Sequence, residues 1–141
     1  MTRIAILGCS KMKAETACKT RNFYKGALFK KSLEYIEPQV DKVLVLSGLY
    51  GLVEIDGAVA PYEYNLYKAP IAERKALKER VAREIQQLID KGATIIYLLN
   101  DEYQKGLPPG EAPLHGMRLG PRLQWLNNKL KERKNAQEVP A

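Results

Sequence analysis

Three short, continuous apolar runs divide this chain. They cover Arg3–Gly8, Lys42–Leu46 and Thr94–Leu99. Continuous runs of this kind predict strands that are buried on both faces of a parallel sheet. Residues 112–114 are a candidate for a short fourth strand.

Apolar residues at helical spacing follow the strands and predict helices over 26–37, 70–91 and 119–134. Pro70 opens the longest of these patterns and Gly92 follows it, as expected for helix ends. Strands alternating with helices indicate an α/β fold. We expect one domain over residues 1–134, a three-layer α/β/α unit with a short parallel sheet of three to four strands, and a frayed tail at 135–141.

Polar groups follow the end of each predicted strand. Right-handed crossovers would bring the carboxyl ends of the strands to one edge of the sheet, where α/β proteins bind ligands. The stretches that we expect to meet there are Cys9–Lys13, Ser47–Gly51, Asn100–Tyr103 and His115–Gly116.

The longest connection, 46–67, has no helical pattern and is rich in tyrosine. Loops of this length within a compact domain are often functional. We therefore interpret it as an irregular crossing that forms one wall of a binding site. Asp56 stands in its middle, before Gly57, where an ordinary turn is the alternative interpretation.

The charge distribution suggests a phosphate ligand. The chain has 141 residues and a net charge of +7, and residues 1–31 alone carry eight Lys/Arg against one acid. Such clustering suits the phosphates of DNA or a nucleotide, although a solvated basic surface is the alternative. The composition predicts no membrane span, and the two cysteines suit a cytoplasmic protein with reduced thiols.

The loop after the first strand is the candidate phosphate site. It offers a Gly-Cys-Ser turn and two lysines, without the P-loop pattern. The candidate phosphate-binding residues are Cys9, Ser10, Lys11 and Lys13. Cys9 could also act as a nucleophile favoured by the lysines, but a small buried residue is the simpler interpretation.

The candidate base-binding residues follow the second and third strands. They are Ser47, Gly48, Tyr50, Gly51, Tyr62, Asn100 and Tyr103. Tyrosine rings can stack on a base, and Ser47 can hydrogen-bond to it. The alternatives are tyrosines that pack the loop and a turn hydroxyl that bonds its own backbone.

Three residues are candidates for acid–base catalysis: Asp101, Asp56 and His115. Asp101 ends a strand, where a general base could act, but it could equally cap a short helix. His115 is the only histidine, and a surface role is its alternative. The pattern predicts no metal ligands and no cofactor.

Several motifs resemble the YaaA family, including its small phage and bacterial members. They are Cys9-Ser10-x-x-Lys13, Tyr24-Lys25-Gly26, Leu46 to Val53, Pro61-Tyr62, Asn100 to Tyr103, Pro113-Leu114 and Gly120 to Leu126. The resemblance implies association with DNA, protection in oxidative stress, and kinship with the archaeosine synthase core and the uracil-DNA glycosylase fold.

Two functions follow as expectations. The first is an enzyme that acts on a nucleobase, by N-glycosidic bond cleavage of a modified or damaged base. Uracil-DNA glycosylases carry a catalytic aspartate in the loop after the first strand. The corresponding loop of this chain has no carboxylate, so the general base would be Asp101 or Asp56. The alternative is a non-catalytic DNA- or nucleotide-binding protein that acts in DNA protection, stress response or phage–host conflict.

Overall fold

The computed structural model contains both strands and helices, and it describes residues 2–10, 12–62 and 68–138, with side chains as far as residue 136. The strands are β1 (Arg3–Gly8), β2 (Cys18–Lys19), β3 (Lys42–Ser47), β4 (Gly51–Glu54), β5 (Ala58–Val59) and β6 (Thr94–Leu98). The helices are α1 (Thr20–Phe23), α2 (Ala27–Ile36), a 3₁₀ helix (Glu37–Gln39), α3 (Ile71–Asp90), α4 (Asp101–Gln104) and α5 (Leu119–Glu138).

The three apolar runs form the parallel part of one sheet, as predicted. Its strand order is β4-β3-β1-β6, and β1 pairs in parallel with both β3 and β6. Ile4 and Val45 are buried, with 3% and 0% of their surface exposed. The continuous apolar character of these strands follows from helices that cover both faces of the sheet.

The fourth strand differs from the predicted one. The prediction of a strand at 112–114 is wrong, because residues 113–116 form a turn and only Glu111 makes an isolated bridge, to Ile96. The fourth position is taken by β4, which pairs antiparallel with β3. The sheet is therefore mostly parallel with one antiparallel edge strand.

The crossing at 46–67 is more regular than predicted. The chain turns tightly after β3 and returns as β4, with Ser47 opposite Gly51. Gly51 has a positive φ of 77°, and a Cβ there would lie 2.6 Å from the Arg80 Nη2. Glycine therefore suits this position by conformation, while the end of the flexible Arg80 side chain could move to make room. Further on, β5 pairs antiparallel with β2 to form a small separate ribbon.

The core lies on both sides of the sheet. On one face, alternate strand residues such as Ala5 and Val45 pack against α2 and α5, including Phe29 and Leu126. On the other face, Ile6 and its neighbours pack against α3. This arrangement is the expected three-layer α/β/α domain.

The helix boundaries agree with the sequence pattern to within one residue for α2 and α3. The last helix, α5, continues to Glu138, beyond the predicted end at 134. No helix in the described ranges combines the length and apolar character needed to cross a membrane.

Candidate functional site

The carboxyl ends of β1, β3 and β6 lie side by side, because these strands are parallel neighbours. A cavity of about 490 Å³ opens beside the ends of β1 and β6, between the amino-terminal turns of α2 and α5. This volume is within the range of small-molecule sites. The edge that the sequence indicated therefore has room for a ligand of nucleoside size.

The cavity wall is largely apolar. Its apolar side chains include Leu28 and Phe29 of α2, Leu98 of β6, and Leu119 and Leu123 of α5. Leu119 is 59% exposed, so it stands at the mouth. An apolar wall with few polar groups is typical of small-molecule binding sites.

Five residues with polar side-chain groups line the same cavity: Cys9, Ser10, Ser32, Asn100 and Tyr103. Ser10 is occupied by its own loop, since its Oγ accepts hydrogen bonds from the N–H groups of Gly26 (2.8 Å) and Met12 (3.1 Å). Asn100 caps α4, because its Oδ1 accepts from the Tyr103 N–H at 2.8 Å. The sequence interpretation that gave Asp101 this cap is therefore wrong.

Ser32 is a cavity residue that the sequence analysis missed. Its side chain is only 2% exposed. It occupies an inward position of α2, three residues after Phe29 and four before Ile36. A polar residue within an otherwise apolar helical stripe is the signal that could have identified it.

The Ser47 hydroxyl lies in a buried network beside β3. Its Oγ accepts from the N–H groups of Leu49 and Tyr50, and it lies 3.1 Å from the Tyr62 hydroxyl. Tyr62 in turn lies 2.8 Å from the Tyr24 hydroxyl. Burial raises the pKa of both tyrosines, so both hydroxyls stay protonated. Ser47 and Tyr62 therefore hold the loop together, and do not line the cavity.

Tyr50 is the exposed member of the tyrosine group. Its side chain is 43% exposed and its ring packs edge-on against Tyr62 at 5.2 Å. Gly48 lies in the same turn, with its N–H directed to Cys9. Of the base-binding candidates after β3, Tyr50 is the one with a ring surface available for stacking.

Cys9 lies near the middle of this edge, and its thiol is free. Burial raises the pKa of the Cys9 thiol, although the Gly48 N–H and the charge of Lys13 act in the opposite direction. A neutral thiol is a poor nucleophile. The structure therefore favours the interpretation of Cys9 as a small, mostly buried wall residue.

Asp101 and His115 are in direct contact. The His115 Nδ1 lies 3.2 Å from the Asp101 Oδ1, and the Gly116 N–H donates to the Asp101 Oδ2 at 3.0 Å. Asp101 directly follows Asn100, and His115 precedes Leu119 by four residues. The pair is therefore flanked in the chain by two residues that line the cavity.

Arg122 contacts the Asp101 carboxylate of this pair, and the sequence analysis did not select it. The side chain is buried and donates from Nε to the Met117 carbonyl (2.8 Å), from Nη1 to the Leu99 carbonyl (2.7 Å) and from Nη2 to Asp101 (2.9 Å). Burial alone would raise the pKa of the Asp101 carboxyl, but Gly116, His115 and Arg122 together hold it below its usual value.

Asp56 does not belong to the site, so its assignment as a possible catalytic base is corrected. Because β4 runs antiparallel to β3, it carries the chain to the opposite edge of the sheet. There Asp56 is paired with Arg21 at 2.7 Å, and the hydrogen bonds from Arg21 lower the pKa of its carboxyl. This residue has the turn role that was its alternative interpretation.

The basic loop is only partly described. Lys11 lies outside the described residues. Lys13 places its Nζ 5.0 Å from the centre of the Tyr62 ring, at the carboxyl edge. No group of three or more His, Cys, Asp or Glu side chains in the described ranges could hold a metal ion.

Comparison with known proteins gives one family. No curated protein matches the chain. The model of a family of unknown function (DUF6884) matches residues 4–128. Because this match covers most of the chain, the protein belongs to that family of unknown function, DUF6884.

Proposed function

We propose that this protein binds a nucleobase in the cavity at the carboxyl edge and hydrolyses its N-glycosidic bond. The observation that carries the proposal is the contact between Asp101 and His115, which lie in the chain next to Asn100 and four residues before Leu119, two residues that line the cavity. A carboxylate that fixes an imidazole is a common way to prepare a general base. The proposed substrate is a modified or damaged base in DNA.

His115 takes the role of the base, and Asp101 orients it. When the His115 Nδ1–H donates a hydrogen bond to Asp101, the lone pair of the neutral imidazole is on Nε2. The His115 side chain is 66% exposed, so a water molecule can reach Nε2. His115 then removes a proton from this water while the water oxygen forms a bond to the sugar C1′. The C1′–N bond breaks with its electron pair on the base nitrogen, which takes up a proton from solvent, and His115 afterwards returns its proton to solvent.

The surroundings of the cavity supply attraction for phosphate. Helix α2 begins at the mouth with no side-chain cap and no acidic residue in its first turn. Such helix ends favour anions. Lys13 adds positive charge at the same edge, where its Nζ lies 5.0 Å from the centre of the Tyr62 ring. A base must leave a duplex to enter the cavity, so single-stranded DNA is the preferred substrate.

The sequence motifs point in the same direction. The resemblance to the YaaA family covers Cys9–Lys13 and Asn100–Tyr103, both at the proposed site. We propose on this basis that the mostly parallel α/β domain is related to the uracil-DNA glycosylase fold. The free thiols of Cys9 and Cys18 fit a cytoplasmic protein.

One observation favours a second candidate, a binding protein without turnover. Asp101 already receives hydrogen bonds from Arg122 and Gly116, and its pKa is lowered. A carboxylate that is neutralised in this way stabilises an imidazolium less strongly. Under this alternative, the same cavity and basic loop would hold DNA or a nucleotide in DNA protection or stress response.

A measurement of base release distinguishes the enzyme from the binding protein without turnover. Single-stranded DNA that carries normal, oxidised or hypermodified bases is incubated with wild type, His115→Gln, Asp101→Asn and Asp56→Asn, and the free base is measured by chromatography. Asp56→Asn is the matched control, because it removes an Arg-paired carboxylate at the opposite edge.

The proposal predicts release by wild type and by Asp56→Asn, with a loss of about 10²–10⁴-fold in His115→Gln. If wild type binds the DNA in an anisotropy assay but releases no base, the binding-protein alternative is correct. If His115→Gln retains full activity, the assigned mechanism is wrong.

A further inference from the structure

The Ser32 hydroxyl is an unused hydrogen-bonding group inside the cavity. Ser32 lines the cavity, its side chain is 2% exposed, and it forms no side-chain hydrogen bond within the described part of the chain. Buried hydroxyls nearly always have a partner. A lone hydroxyl facing a cavity therefore indicates that a ligand supplies the partner.

The surroundings of Ser32 define the shape of that ligand. Phe29 and Leu28 lie beside it on α2, and Leu98 and Leu123 contribute apolar wall from β6 and α5. A flat ring system with one polar group on its inner edge would fill such a slot. The volume of about 490 Å³ suits a bicyclic ring with its sugar better than a single small ring.

We propose that Ser32 is a specificity-determining residue that hydrogen-bonds to the exocyclic nitrogen or oxygen of a purine-type base. The base lies between α2 and α5, and its sugar points to the mouth, where Leu119 is exposed. This inference rests on the proposed function for the identity of the ligand. It does not require that the protein cleaves the base.

The arrangement predicts an effect on binding without a loss of stability. Among the described residues, the Ser32 Oγ is not one of the fully enclosed polar atoms that lack a partner, so it reaches the open cavity and costs the free protein little. Removing it should therefore weaken ligand binding and leave the melting temperature nearly unchanged. A structural serine would instead lose stability when its hydroxyl is removed.

The experiment uses adenosine and inosine as probes, with purine riboside as the matched ligand that lacks an exocyclic group. Affinities are measured by calorimetry for wild type, Ser32→Ala and Ser32→Cys. Cysteine keeps the size and the helix propensity of serine, so Ser32→Cys separates the hydroxyl from the gain in propensity that alanine brings. Thr20→Val is the control, because Thr20 is also buried but its hydroxyl is bonded to the Gly57 carbonyl.

We expect wild type to bind adenosine or inosine about tenfold more tightly than purine riboside. Both Ser32 variants should lose this preference and melt within about 2 °C of wild type. Thr20→Val should keep the preference and melt at a lower temperature.

The inference is overturned if none of the three nucleosides binds wild type, or if the preference for adenosine or inosine survives in both Ser32 variants. The outcome is separable from that of the proposed function. If wild type shows the Ser32-dependent preference for adenosine or inosine but releases no base from DNA, only the proposed catalysis is contradicted. If wild type releases base from DNA but shows no preference that depends on Ser32, only the inference about Ser32 is contradicted.

Discussion

Arg122 holds together the loops on which the proposed site is built. Its guanidinium joins the backbone after β6, at Leu99, to the turn that precedes α5, at Met117, and to the Asp101 carboxylate. We expect Arg122→Leu to destabilise the protein strongly, because leucine fills the space but supplies no donor. The two carbonyls then lose their charged partner.

The magnitude follows from the contacts with the two carbonyls. Hydrogen bonds to a charged group contribute about 1.5–3 kcal/mol each. The Asp101 side chain is 42% exposed, so solvent screens its pairing with Arg122 and this contact adds little. The apolar contacts of leucine offset part of the loss. The free energy of unfolding should therefore fall by about 3–5 kcal/mol.

Urea unfolding measures this loss directly. With a slope of ~2 kcal/mol per molar urea, the midpoint should fall by roughly 2 M relative to wild type. Arg118→Leu is the matched control, because Arg118 is exposed and precedes Arg122 by four residues, just before α5 begins. If Arg122→Leu and Arg118→Leu unfold within ~0.5 kcal/mol of each other, the assignment of Arg122 as the organising residue is refuted.

Three further predictions concern the same edge. Gly26→Ala should lower stability by about 1–3 kcal/mol in thermal unfolding, because a Cβ would lie 2.5 Å from the Ser10 Oγ; an unchanged melting temperature would contradict the packing. Tyr24→Phe should cost about 1 kcal/mol, because the Tyr62 hydroxyl loses a partner; a loss within error of zero would show that this bond contributes nothing. The lowered pKa of Asp101 contributes stability that is present above its ordinary value of 3.8 and is lost as the pH falls further, so the difference in stability between wild type and Asp101→Asn should shrink below that pH; a constant difference would contradict the shift.

The parallel strands could be predicted because burial on both faces leaves a direct trace in the sequence. Ile4 and Val45 belong to runs without polar interruption, and short runs of this kind are typical of strands covered on both faces. The strand β4 left no comparable trace. Only four residues form it, and Leu52 and Val53 are only partly buried at the sheet edge. Its pairing is determined by the tight turn after Ser47, which the pattern of apolar residues does not encode.

Some residues of the site could likewise be predicted from the sequence, and others could not. Asp101 could be selected because it follows the end of a strand. His115 was selected as following a strand at 112–114 that the structure does not contain, but the structure still places it in contact with Asp101. Asp56 was misplaced because the return of the chain through β4 was not foreseen. Arg122 could not be selected, because its role depends on the carbonyl of Leu99, which lies 23 residues away. Interactions with a distant backbone have no signature in local sequence.

The most direct test of this account is the structure of Asp101→Asn bound to 2′-deoxyadenosine 5′-monophosphate. The account predicts that the base lies in the cavity between α2 and α5, with its exocyclic amino group on Ser32 and its C1′ facing the His115 Nε2. A nucleotide bound anywhere else on the protein, with this cavity empty, would contradict it.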